Sequence, residues 1–236
     1  MKDSTRQQLR TVSVATLCTA LFKRGLRRQY IQDVHPLNPG LPNMVGEACT
    51  LRYMPAREDL NTLDVFRDRG HPQRRAIEEC PPDAVLVIDS RGDARAASAG
   101  GILVTRLMQR GAAGIVTDGG FRDSPDMAKL PFPVYHQRPA APTNLTLHQA
   151  IDIDVPIGCG DAPVFPRDVV VGDAEGVVVI PAHLADEVAA EAVEMTAFED
   201  FVQERVMAGQ SILGLYPPTD DANRAAFDAW RSARGR

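Results

Sequence analysis

The stretch from Ala84 to Thr117 leaves this chain few folds to choose from. AVLVI (84–88) is a continuous apolar run, as expected of a strand covered on both faces. A polar loop from Asp89 to Ser98 follows. Between Ala99 and Arg110, Leu103, Leu107 and Met108 recur at helical spacing, and Gly111 stops the helix. Gly114–Thr117 is a second buried strand. Strand, helix and strand in so short a span form a parallel, right-handed βαβ unit, because parallel neighbours need a crossover and antiparallel ones do not.

The remaining segments build around that unit. Ser13 to Gly25 reads as a helix: Ser13 caps it, Leu17 and Leu21 share a face, Lys23 and Arg24 suit its C-terminal end, and Gly25 stops it. GEACTLRY (46–53) reads as a strand. Residues 55–82 are polar and irregular, with a short helix around Arg74–Cys80. Phe132–Tyr135 and Ile151–Ile157 are further strands. Asp168–Val171 and Gly176–Ile180 form a hairpin turning at Asp173–Gly176. From His183 to Met207 a long helix carries Leu184, Val188, Ala192, Met195, Val202 and Val206 on one stripe. The 236 residues are 44% hydrophobic, enough for one good-sized core. The expectation is a single α/β domain over 1–215, with mixed central β-structure, the parallel βαβ unit and surrounding helices. Residues 216–236 form a tail, with a short amphipathic segment around Phe227 and Trp230 that packs on the domain or on a neighbouring subunit.

Composition removes several function classes. A net charge of −5 with both signs interspersed lacks the basic stripe of a nucleic-acid groove. No apolar run reaches the roughly 20 residues of a membrane span, and the N-terminal residues lack the apolar stretch of a secretory signal. Cys18, Cys49, Cys80 and Cys159 are far apart in the chain and form no CxxC pair, so a reducing, cytoplasmic setting is expected. The five histidines show no metal-site spacing and read as structural or surface residues. No Ser sits in a GxSxG elbow and no Walker loop is present. Lys2, Lys23 and Lys129 are the only lysines, and none sits in a buried strand, which argues against Schiff-base chemistry.

One edge of the βαβ unit gathers chemistry. In such a unit the loops after both strands lie on the same carboxyl edge of the sheet, where α/β proteins place ligands. The first loop delivers Gly100-Gly101-Ile102-Leu103, a helix N-terminus whose backbone N–H groups suit an anion. The second delivers Asp118-Gly119-Gly120-Phe121-Arg122-Asp123. A guanidinium grips a carboxylate in a planar fork, and a carboxylate beside it suits a hard cation such as Mg²⁺ or Mn²⁺. Together they describe a site for a 2-oxo acid. A plainer reading stays open: the Arg122-Asp123 pair as a structural turn, and Asp126, after Ser124-Pro125, as a complement to a helix dipole.

At these residues the chain resembles the RraA-like family, which includes regulators of ribonuclease activity A and metal-dependent 4-hydroxy-4-methyl-2-oxoglutarate aldolases. GLRRQYIQDVHPLNPG, VGEACTLRY, the 84–126 unit and GDAEGVVVIP with its long helix carry the resemblance. It implies a fold of the swivelling β/β/α type and a divalent-metal-dependent lyase. Such a lyase cleaves a 4-hydroxy-2-oxo acid to pyruvate and an oxo compound, with oxaloacetate decarboxylation as a side activity. The alternative it implies is a non-catalytic regulator that binds and inhibits a ribonuclease. By the same resemblance Gly100, Gly101, Ile102, Leu103 and Arg122 contact substrate, and Asp123 holds Mg²⁺ or Mn²⁺. Asp126 completes the motif spacing as a further metal-site acid, and Glu199 acts from a neighbouring subunit of a homotrimer or hexamer. One position departs from the pattern: the aldolases carry an acid where this chain has Gly101. Asp93, Asp118 and Asp126 are the carboxylates available to take its place.

Overall fold

The computed structural model describes residues 1–235. Its centre is a nine-stranded mixed sheet organised on one long strand, Met44–Pro55. Along one side of that strand Ala84–Asp89 runs parallel, followed by Gly114–Thr117 and Val134–His136, also parallel. Along its other side the first half pairs antiparallel with Val169–Gly172 and the second half with His148–Ile153. Val177–Ile180 closes back on Val169–Gly172 as the expected hairpin. The parallel strands are buried throughout, in keeping with their unbroken apolar sequence.

Helices cover the sheet in two groups. Helices α1 (Asp3–Leu9) and α2 (Val14–Lys23) pack with a later helix, α6 (Ala185–Met207), over the hairpin side. Helices α3 (Pro72–Glu79) and α4 (Gly101–Gln109) cover the parallel side, burying Ile77, Val104 and Leu107 against Leu86, Ile88 and Ile115. Ser13 caps α2 as expected, its Oγ accepting from the Thr16 N–H at 3.0 Å. Helix α5 is one turn, Ser124–Met127, with Pro125 in its first turn. The long helix α6 spans Ala185–Met207, entered through a 3-10 turn at Ala182–Leu184.

Several boundaries differ from the sequence reading, each for a local reason. The strand expected over Ile151–Ile157 is two strands, His148–Ile153 and Ile157–Cys159, because Asp154 turns left-handed (φ 55°) between them. The loop expected over Asp89–Ser98 ends early, since Ala97–Ala99 is a short strand. Helix α1 lay outside the apolar pattern because it buries only Thr5 and Leu9. The segment around Phe227 and Trp230 is a fourteen-residue helix, α7 (Asp221–Arg234). It packs on α6, where Phe201, Leu215 and Trp230 form a small aromatic core of their own. Among the described residues no helix is long and apolar enough to cross a membrane.

Buried histidines give the fold a pH dependence. His136 is 5% exposed and stacks on Phe121, with ring centroids 5.9 Å apart. Burial, with His35 across the strand pair, pushes its pKa from the ordinary 6.5 down to about 4. His71 and His148 are also lowered, mainly by burial. In this window the unfolded chain binds more protons than the folded one, so stability is present above pH 6.5 and is lost toward pH 4. His136 alone contributes up to about 3 kcal/mol. Melting temperatures across pH 7 to 4 should fall less steeply for His136→Phe than for wild type; equal slopes would contradict this.

Candidate active site

The site is built where two crossing loops are stitched together. Ala97–Ala99, Gly120–Phe121 and Arg138–Pro139 form a second, three-stranded parallel sheet, with Ala97 opposite Gly120 and Ala99 opposite Phe121. The Arg122 N–H extends this ladder by donating to the Ala99 carbonyl at 3.2 Å. The residues leaving each strand therefore meet: Gly100-Gly101 on one side, Arg122-Asp123 on the other. Small residues permit the approach. A β-carbon at Gly120 would lie 2.5 Å from that of Ala140, and one at Gly100 would lie 2.8 Å from Arg122 Cγ. Beneath the loops Ser98 Oγ is hydrogen-bonded to Ser90 Oγ and to Thr117 Oγ1, both at 2.7 Å, and all three hydroxyls are buried.

Asp123 adopts the left-handed conformation (φ 64°), which aspartate tolerates better than most residues. That turn lets its Oδ2 accept from the Gly101 N–H at 3.0 Å, capping α4 across the gap between loops. The Arg122 Nε lies 3.7 Å from the same oxygen. The two side chains are 48% and 45% exposed, so they are open to a ligand. The Leu103 and Val104 N–H groups turn back to the Gly100 carbonyl, whereas the Ile102 N–H has no acceptor among the described residues. Asp123 Oδ1 has none of these contacts.

These groups border a cleft of about 330 Å³. Its other wall is formed by Phe66, Gln73, Arg74, Thr143 and Asn144, all but Arg74 from segments that the sequence reading left unassigned. Arg74 was within reach of that reading, since it lies on the expected short helix; nothing in the local pattern marked it as facing a site. Leu63 (73% exposed) also borders the cleft and Ile102 (86%) stands at its mouth.

The remaining expected residues lie as follows. Asp126 borders an adjoining groove that Asp123 also touches, and it pairs with Lys129 Nζ at 2.8 Å. Asp118 is buried as a loop staple: its Oδ1 accepts from the Ser90 N–H at 2.6 Å and its Oδ2 from the Gly92 N–H at 2.8 Å. Burial raises its pKa. Asp93 pairs with Arg95 at 2.7 Å, and that guanidinium holds its carboxyl well below the usual range. Neither Asp93 nor Asp118 borders the cleft. Glu199 lies on α6, where its Oε2 accepts from Thr16 Oγ1 at 2.8 Å, away from the cleft of its own chain.

No group of three His, Cys, Asp or Glu side chains converges among the described residues, so a soft, all-protein site such as zinc requires is not present in one chain. One carboxylate with a free oxygen does fit Mg²⁺ or Mn²⁺. Such cations take one or two protein carboxylates and fill the rest of their shell with water and substrate oxygens.

The sequence model of the RraA-like family, described as aldolase/RraA, matches residues 14–179. A Halalkalibacterium halodurans protein provisionally named 4-hydroxy-4-methyl-2-oxoglutarate aldolase is 35% identical, over 85% of this chain and 87% of its own. The 4-hydroxy-4-methyl-2-oxoglutarate aldolase of Thermus thermophilus is 28% identical, over 64% of this chain and 90% of its own. Among solved structures, Streptomyces coelicolor RraAS2, described as an unusual member of the RNase ES inhibitor RraA protein family, superposes with a TM-score of 0.75. It is 31% identical and covers 86% of this chain and 97% of its own. With most of the sheet and the two crossing loops inside the matched span, the chain belongs to the RraA-like family.

Proposed function

We propose that this protein is a divalent-metal-dependent lyase that cleaves a 4-hydroxy-2-oxo acid to pyruvate and an oxo compound, and decarboxylates oxaloacetate as a side activity. The observation that carries this reading is the meeting of Arg122, the open Ile102 N–H and the Asp123 carboxylate at one cleft. The names of the two aldolase relatives support it.

Arg122 holds the substrate's 1-carboxylate in its planar fork, and the Ile102 N–H adds a second donor to it. Asp123 would hold Mg²⁺ or Mn²⁺, its carboxylate kept in place by the Gly101 N–H. When bound, such a cation would supply positive charge that stabilises a developing enolate. Loss of the 4-hydroxyl proton lets the C3–C4 bond break, its electrons passing to the 2-oxo group, and protonation at C3 gives pyruvate. Among the described residues, the cleft is lined by no carboxylate other than Asp123 and by no histidine. By the family resemblance we assign the base to Glu199 of a neighbouring subunit, in a homotrimer or a pair of trimers. Light scattering that gives only a 25.7 kDa species at micromolar concentration would overturn the trans arrangement.

Purified protein given Mg²⁺ or Mn²⁺ and a panel of 4-hydroxy-2-oxo acids and oxaloacetate should release pyruvate, and EDTA should stop it. Pyruvate release from none of them would sink the reading. A second reading, a ribonuclease-binding regulator without catalysis, draws on Gly101 in place of the family's acid and on the likeness to RraAS2. Pull-down with an endoribonuclease, alongside the pyruvate assay, separates the two.

A further inference from the structure

Cys49 and Cys80 lie far apart in the chain, yet the fold brings their thiols together. Cys49 sits on the long strand Met44–Pro55, and Cys80 is the C-cap of α3, which lies against that strand. Both pack in the core beneath α3 and α4, and Cys80 is fully buried. The Cys80 S–H has two acceptors in reach, the Pro81 carbonyl at 3.8 Å and the Cys49 sulfur. Its hydrogen bond to Cys49 lowers the Cys49 thiol below its ordinary pKa, against burial and the charges of Asp154 and Glu79. The same bond, together with burial, raises the Cys80 thiol. The first negative charge on the pair therefore rests on Cys49.

Access follows the same division. Cys49 is partly exposed and borders a cavity of about 400 Å³ at the amino edge of the parallel strands, away from the cleft that holds Arg122. That cavity is lined by Glu47, Glu79, Asp83 and Asp154 against Arg6 and Arg167, so a small neutral reagent enters more readily than an anionic one. The other two cysteines differ. Cys18 is likewise partly exposed, but burial and Asp173 raise its thiol; Cys159 is buried and raised well above the ordinary value. An accessible thiol with a lowered pKa, beside a second thiol able to resolve it, is the arrangement that responds to peroxide.

We propose that Cys49 and Cys80 are an oxidisable pair, in which Cys49 reacts with a hydroperoxide and Cys80 closes a reversible disulfide onto it. The Cys49 thiolate attacks the peroxide: an S–O bond forms, the O–O bond breaks, and the departing hydroxide takes up the proton the thiol had released. Cys49 becomes a sulfenic acid as the peroxide is reduced to water. The Cys80 sulfur then attacks the Cys49 sulfur. The S–S bond forms as the S–O bond breaks, and hydroxide leaves as a second water with the Cys80 proton. A dithiol reductant reverses the bridge by thiol–disulfide exchange. The bridge ties the C-terminal end of α3, whose first turn borders the cleft, to the central strand.

Thiol counting and peptide mapping on the full chain test it, independently of any turnover. Reduced protein given hydrogen peroxide should fall from four free thiols to two. A peptide joining Cys49 to Cys80, lighter by the mass of two hydrogens, should appear, and dithiothreitol should restore all four thiols. In Cys80→Ala the reaction should stop at a Cys49 sulfenic acid that dimedone captures. In Cys49→Ser the remaining thiols should stay reduced at the same dose. Loss of Cys18 before Cys49, or oxidation of Cys49 in wild type without the joined peptide, would overturn the pair. The wild-type map decides even where a variant fails to fold.

Discussion

Asp123→Asn should lower metal-dependent pyruvate release by about 10³-fold or more while leaving the protein folded, since a cation beside a developing enolate is worth several kcal/mol. Asparagine is the informative replacement. It tolerates the left-handed backbone at φ 64° and keeps a carbonyl oxygen to accept from the Gly101 N–H, so only the anionic charge is removed. Melting temperature should move little, and Mg²⁺ or Mn²⁺ should no longer raise it. If Arg122-Asp123 is only a structural turn, the outcome inverts: the melting temperature falls and turnover per folded molecule is unchanged.

Arg122→Lys should cost roughly 10- to 150-fold in kcat/KM, equivalent to about 1.5–3 kcal/mol for a charge-assisted hydrogen bond. Lysine keeps the charge and loses the fork, so the loss is one of grip and orientation. The stem of Arg122 lies across Gly100, whose missing side chain makes room for Cγ and Cδ. A shorter-headed lysine fits that channel, and the fold should survive. Steady-state kinetics with a 4-hydroxy-2-oxo acid would show the loss mainly in KM; a rate equal to wild type would remove Arg122 from the site.

The parts of this fold written in local pattern were legible before the structure. The Ser13 cap, the apolar run at Ala84 and the hairpin closing at Ile180 each depend on neighbours within a few residues, and each is present. Placement of Arg122 and Asp123 beside Gly100 and Gly101 followed from the handedness of a single βαβ unit. What escaped is the three-stranded ladder that joins them, because strands of two or three residues are too short to show a periodicity. Gln73, Arg74 and Asn144 escaped for a different reason. Gln73 and Arg74 lie about 70 residues before Asn144, and only the packed fold brings them to one wall.

The two walls of the cleft differ in how firmly they are held. Gly100 and Arg122 hang from buried strands, whereas the 3-10 turn at Leu63–Arg67, which supplies Phe66, has no buried residue at all. Segments with so little burial open first and tolerate replacement most readily. Substrate range and foldability are thereby separable in this molecule. If the proposed reading holds, changes at Leu63 or Phe66 would redirect which acid is accepted at little cost in stability, while the Arg122 and Asp123 end of the cleft stays fixed by the core. A lineage, or an engineer, can revise the question this protein asks of a substrate without touching the answer it gives.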